Sequence, residues 1–177
     1  MATLCPGDVE RRAVLEVRAI GRQLAGIAAP YDQVAHVHGF DEVIRAGAFA
    51  DSLASGSDIL ALSDHDQTKL LGRTRNGTLR LAETRQGLAF EIDVPNTTLG
   101  SDVLELARNG SLGGMSFAFR VRTAGERWIK NLRELRLVDL VEISTVAAWP
   151  AYDNTTVHAR ARQPDRLRRA LAWLETC

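Results

Sequence analysis

Apolar and polar residues alternate along most of the chain, and the runs are short and broken by glycine and polar turns. A period of two predicts β-strands. Residues 12–20 place Ala13, Leu15, Val17 and Ala19 on one face and Glu16 and Arg18 on the other. A strand over 23–29 continues after Gly21, and the runs 77–84 and 87–94 meet at Arg85-Gln86-Gly87 as a predicted hairpin. Further strands are predicted over 114–122 and 132–147, the second long enough to require a bend or bulge. Helical spacing interrupts this pattern. A short alanine-rich helix is predicted over 46–54. A second, over 98–109, carries Leu99, Val103, Leu104, Leu106 and Ala107 and stops at Gly110. A third, over 164–175, follows an arginine-rich linker and aligns Leu167, Ala170, Leu171 and Leu174. Strand spacing is too irregular for a propeller, and the βαβ alternation of a doubly wound sheet is missing. The pattern predicts an α+β fold: a closed or nearly closed, mostly antiparallel β-barrel flanked by a few helices.

The chain of 177 residues is long enough for one domain with a real core. The predicted organisation is an N-terminal extension over 1–11, a folded domain over 12–157, and a basic linker with a C-terminal helix over 158–177. Lys plus Arg and Asp plus Glu both number 22, which argues against nucleic acid or an anionic membrane as the main partner. No apolar run is long enough to span a bilayer, and residues 1–8 do not read as a signal peptide. Cys5 and Cys177 offer neither a disulfide framework nor metal-ligand spacing. These features predict a cytosolic protein without cofactor.

Three residues could carry chemistry. His65 ends the apolar run Ile59-Leu60-Ala61-Leu62 between Asp64 and Asp66, at a strand terminus where functional groups tend to emerge. A surface histidine capping a turn has the same local signature. Ser116 enters an alternating strand from the glycine turn Gly113-Gly114, which would let a substrate backbone approach it closely. Serine is a weak nucleophile until a base takes its proton. The surroundings are not a Gly-x-Ser-x-Gly elbow, because Ala118 stands at the second glycine position. A small polar residue in a packed strand is the alternative. Glu142 shares a strand face with Val138, Leu140, Ser144 and Val146, and a carboxylate in an apolar stripe needs a partner such as an imidazole N–H. An edge-strand glutamate facing water is equally compatible. His36 and His38 could lie on one strand face, but no local Cys, Asp or Glu cluster supplies a convincing third ligand, so no metal site is expected. His158 is unremarkable.

Taken together, these segments resemble the prohead protease family of tailed bacteriophages. Gly26-Ile27-Ala28-Ala29-Pro30-Tyr31-Asp32 is similar to its opening strand and turn, and Glu42-Val43-Ile44-Arg45-Ala46-Gly47-Ala48-Phe49 to its E-x-I-x-x-G-A-F segment. Ser63-Asp64-His65-Asp66 resembles the segment of the catalytic histidine, and Gly113-Gly114-Met115-Ser116-Phe117-Ala118-Phe119 that of the nucleophile. Leu140-Val141-Glu142-Ile143-Ser144-Thr145-Val146, then Pro150-Ala151-Tyr152, resembles the closing strand. Two departures stand out: Asp64 replaces the usual Asn before the histidine, and Ala118 the usual Gly after the serine.

The family is similar in fold to the herpesvirus assemblins. The resemblance implies a serine endopeptidase with Ser116 as nucleophile, His65 as general base and Glu142 orienting it. Gly114, Thr145, Val146 and Ala147 are its oxyanion and cleft candidates. Its implied substrates are the scaffold portion of the major capsid protein and the protease itself, cut inside an assembling procapsid in the bacterial cytoplasm. Homodimerisation is plausible by the assemblin likeness. A non-enzymatic, capsid-associated β-barrel protein is the alternative.

Overall fold

Alternation becomes strand wherever a neighbour is available to take the backbone hydrogen bonds. The computed structural model describes residues 9–14, 17–37 and 39–147. Among them the order is β1 (Glu10–Val14), β2 (Val17–Ile20), β3 (Gln23–Pro30), β4 (Ala35–Val37), β5 (Phe40–Ile44) and helix α1 (Ala50–Ala54). Next come β6 (Leu60–Ser63), β7 (Asp66–Arg73), β8 (Leu79–Glu83), β9 (Gly87–Asp93) and helix α2 (Thr98–Arg108). The last four strands are β10 (Gly114–Val121), β11 (Glu126–Ile129), β12 (Leu132–Leu135) and β13 (Val138–Val146).

The class is α+β and mostly antiparallel, but the expected barrel is absent. Three separate sheets form instead: β1-β10-β13-β6-β7, β11-β12-β5-β4 and β2-β3-β9-β8. Among the described residues no sheet's outer strands pair with each other, so none closes. Register shifts at Ala118/Phe119, at Ile27/Ala29 and on both sides of Leu62 interrupt the ladders. Such bulges bend strands and raise their twist, which turns neighbouring segments into different sheets.

Two long predicted strands are each divided between sheets. The run 12–20 becomes β1 in the first sheet and β2 in the third. The run 132–147 becomes β12, parallel to β5, and β13, parallel to β6 and antiparallel to β10. Helix α2 matches its prediction closely: the Thr97 hydroxyl accepts from the Gly100 amide at its start, and Gly110 (φ 74°) closes its end. The predicted helix over 164–175, His38, His158 and both cysteines lie outside the described residues.

The core lies between the sheets, around Leu24, Phe49, Phe90, Ile92, Leu104, Phe117, Phe119 and Ile143, all at most 2 % exposed. Phe117 stacks on Phe119 at 5.5 Å, and Phe49 meets Phe117 edge-on at 6.0 Å. Gly87 is required where β9 pairs with β3, because a Cβ there would stand 2.1 Å from the Ala29 carbonyl oxygen. A buried ionic cluster ties the first sheet to the second. Arg12 donates to both Glu42 oxygens (2.6 and 2.7 Å) and to Glu10 (2.8 Å), and Arg133 donates to Glu10 and Glu42.

Candidate active site

Strand β10 is the second strand of its sheet, between β1 and β13, and its register decides what surrounds Ser116. Met115, Phe117 and Phe119 pack into the hydrophobic core, so the alternating Ser116 and Ala118, themselves buried, belong to the opposite face. Directly across on β13 stand Ser144, opposite Ser116, and Glu142, opposite Ala118. On the other side β1 places Ala13 opposite Ser116 and Arg11 opposite Ala118. Directly opposed residues have Cβ atoms about 5 Å apart, so Arg11, Ser116, Glu142 and Ser144 form one polar patch around Ala118.

His65 reaches this patch through a strained turn. β6 runs parallel to β13 and then turns back into β7, with Ser63 paired to Asp66. The two residues between them, Asp64 and His65, have φ of 52° and 60°. Positive φ at both positions is the geometry of a type I′ hairpin turn, which favours Asn, Asp and Gly at the first position. Aspartate therefore suits this site, and the departure from asparagine costs the turn little. Histidine in the left-handed region carries an energetic cost and persists only because its surroundings hold it. They do so in four places. The Asp64 amide donates to the Thr145 carbonyl (2.7 Å), and the Asp64 carboxylate accepts from the Ala147 amide (3.0 Å). The His65 amide donates to the Ser144 hydroxyl (2.8 Å), and its ring Nδ1 meets Glu142 Oε1 at 2.5 Å.

The last contact sets the tautomer. A carboxylate only accepts, so Nδ1 carries the proton and Nε2 keeps a lone pair available as a base. Glu142 is 5 % exposed, so its charge must be balanced locally. The imidazole Nδ1–H is one partner, and the Arg11 guanidinium, with Nε 3.8 Å from the same oxygen, is the other.

Ser116 is 3 % exposed, and its hydroxyl donates to the Arg12 carbonyl at 2.7 Å. Among the described residues it makes no hydrogen bond to His65; Ser144 stands between them, as cross-strand neighbour of one and hydrogen-bond partner of the other. Of the oxyanion and cleft candidates, Gly114 (φ 141°) starts β10 opposite Val146, and Thr145 lies in the β6–β13 ladder. The amide of Ala147 is engaged by Asp64. His36 lies against Asp41 instead of pointing toward a metal cluster, and no group of three or more potential metal ligands occurs among the described residues.

Sequence reading missed Arg11 altogether and assigned no role to Ser144 or to the Asp64 carboxylate. Ser144 could have been found, since Glu-x-Ser in a strand puts the serine next on the glutamate's face. Arg11 left no such signal, because its relation to Glu142 spans three strands.

The same stretch of chain matches a known family description. No curated protein and no solved structure matches it, so the assemblin likeness has no structural counterpart to compare. The family model for the caudovirus prohead serine proteases, however, covers residues 8–169. That span takes in every strand and helix described above and all of the polar patch. On that match the chain belongs to the caudovirus prohead serine protease family.

Proposed function

We propose that the protein is the endopeptidase that cuts the scaffold portion of the phage major capsid protein, and itself, inside the assembling procapsid in the bacterial cytoplasm. Ser116 is the nucleophile, His65 the general base and Glu142 its orienting partner. The observation that carries this reading is the hydrogen-bonded His65–Glu142 pair, anchored through Ser144 beside Ser116, in a chain of a serine protease family.

The chemistry is acyl transfer. Ser116 Oγ leaves the Arg12 carbonyl and turns to His65 Nε2. As Oγ bonds to the scissile carbonyl carbon, its proton passes to Nε2. The carbon–nitrogen bond then breaks, and the same proton leaves with the amine. Water repeats the sequence on the acyl-enzyme and regenerates Ser116. Glu142 holds Nδ1–H throughout and stabilises the imidazolium. Backbone amides near Gly114 and Thr145–Val146 are the oxyanion donors proposed here; Ala147 joins them only if Asp64 releases its amide.

The test is incubation of wild-type and Ser116→Ala protein with the capsid-protein precursor, read by intact mass. Discrete products from wild type alone, unaffected by a chelator, are expected. Equal cleavage by both proteins would remove Ser116 as the nucleophile. Cleavage by neither, also inside assembled procapsids, would favour a capsid-associated structural protein.

A further inference from the structure

Arg11, Ala118 and Glu142 occupy one row across β1, β10 and β13. The middle residue carries only a methyl group, so the arginine can reach over it to the carboxylate. Arg11 Nε lies 3.8 Å from Glu142 Oε1, the oxygen that accepts from His65 Nδ1. That separation exceeds a hydrogen bond. Two buried side-chain atoms in the described structure have no hydrogen-bond partner, and they are Arg11 Nε and Glu142 Oε2. Unsatisfied buried polar atoms are costly, and here the donor and the acceptor stand side by side. A small rotation of either side chain satisfies both.

The geometry points to Arg11 as a positioning residue that acts on His65 through Glu142. This rests on the proposed roles of His65 and Glu142. The carboxylate accepts from the ring Nδ1–H on one side and faces the Arg11 guanidinium on the other. Arg11 therefore fixes the carboxylate that orients the His65 ring and offsets its buried charge. The other charged groups near the ring sit on its own hairpin: Asp64, held by the Ala147 amide, and Asp66, paired with Lys69. β10 presents Ser116, Ala118 and, further along, the exposed Arg120 opposite Asp139 to this face, and β13 adds Ser144 beside Glu142. Arg11 is thus the one cation from another strand that touches the pair among the described residues.

The experiment follows the rate at which a fluorophosphonate, which phosphonylates an activated serine with loss of fluoride, labels the full-length protein across pH. Wild type, Arg11→Met, Arg11→Lys and Glu142→Gln are compared by intact mass. Arg11→Met is expected to label about tenfold more slowly than wild type across that range, because the carboxylate that orients the ring is no longer held. Arg11→Lys should keep the wild-type profile. An Arg11→Met profile that superimposes on wild type, or an Arg11→Lys profile as slow as that of Arg11→Met, overturns the proposal. Wild-type labelling rates in Glu142→Gln would instead sink the His65–Glu142 reading beneath it. A thermal double-mutant cycle with Arg11→Met and Glu142→Gln decides the contact without any activity: coupling supports the pair, and strict additivity rejects it.

Discussion

At the scale of single residues, the site is a set of side chains each already committed to a partner. The Ser116 hydroxyl is held by the Arg12 carbonyl, the His65 amide by Ser144, and the His65 ring by Glu142. Two of these contacts can be separated by mutation. Glu142→Gln can present its amide nitrogen to Nδ1 and favour the wrong tautomer, so kcat should fall by roughly 10³–10⁴, with the fold unchanged by circular dichroism. Ser144→Ala leaves Ser116 and the His65 ring in place and removes only the acceptor of the His65 amide. Its kcat should fall by about tenfold, for a lost hydrogen bond of about 1 kcal/mol that positions the turn. If Ser144→Ala were as inactive as Ser116→Ala, the nucleophile would have to be reassigned between the two serines.

At the scale of elements, the β6–β7 turn is the part that the fold must force. Asp64→Ala loses a left-handed-tolerant residue and the acceptor of the Ala147 amide. The two effects add to about 2 kcal/mol, or a fall in Tm of roughly 4–8 °C for a chain of this size. Asp64→Asn, which keeps both properties, should melt within about 1 °C of wild type by calorimetry. This turn also shows where sequence reading stops. Helix α2 was legible almost to the residue, because its apolar spacing, its Thr97 cap and its Gly110 stop all lie within one segment. The β8–β9 hairpin was legible for the same reason. Ser116, His65 and Glu142 stood out as residue types at strand positions, but the contact of His65 with Glu142 depends on β6 lying parallel to β13, which no local signal encodes. The barrel was misjudged on similar grounds. Alternation says that a segment is a strand, whereas closure depends on which edges find each other. Here Arg136 and Leu137 separate β12 from β13 and carry the chain from one sheet to the next.

At the scale of the whole molecule, the buried cluster of Glu10, Arg12, Glu42 and Arg133 connects the strand beside Ser116 to a different sheet. Arg12 contributes twice, its side chain to the cluster and its carbonyl to Ser116. Breaking one member leaves buried charge uncompensated, so Glu42→Gln should destabilise by about 3–5 kcal/mol in denaturant titrations. The cluster also makes stability depend on pH, and the sign can be worked out at Glu10. Burial opposes ionisation of this carboxyl, but the Arg133 hydrogen bond and the charges of Arg12 and Arg133 outweigh it and hold the group below its ordinary value of 4.5. The folded state therefore gives up this proton more readily than the unfolded chain. Ionised Glu10 contributes its full stabilisation above 4.5 and loses it as pH falls through the lower folded value. Urea titrations should show wild-type stability declining below that pH. Glu10→Gln should be weaker than wild type at neutral pH, and its acid limb shallower, so that the two curves approach each other at low pH. Added salt should change the difference little, since the pair is shielded from solvent. Parallel curves at every pH would mean that Glu10 keeps its proton equally in both states and that the cluster acts through packing alone. Convergence would identify the ionic tie on β1 as an acid-sensitive joint between the first sheet and the second.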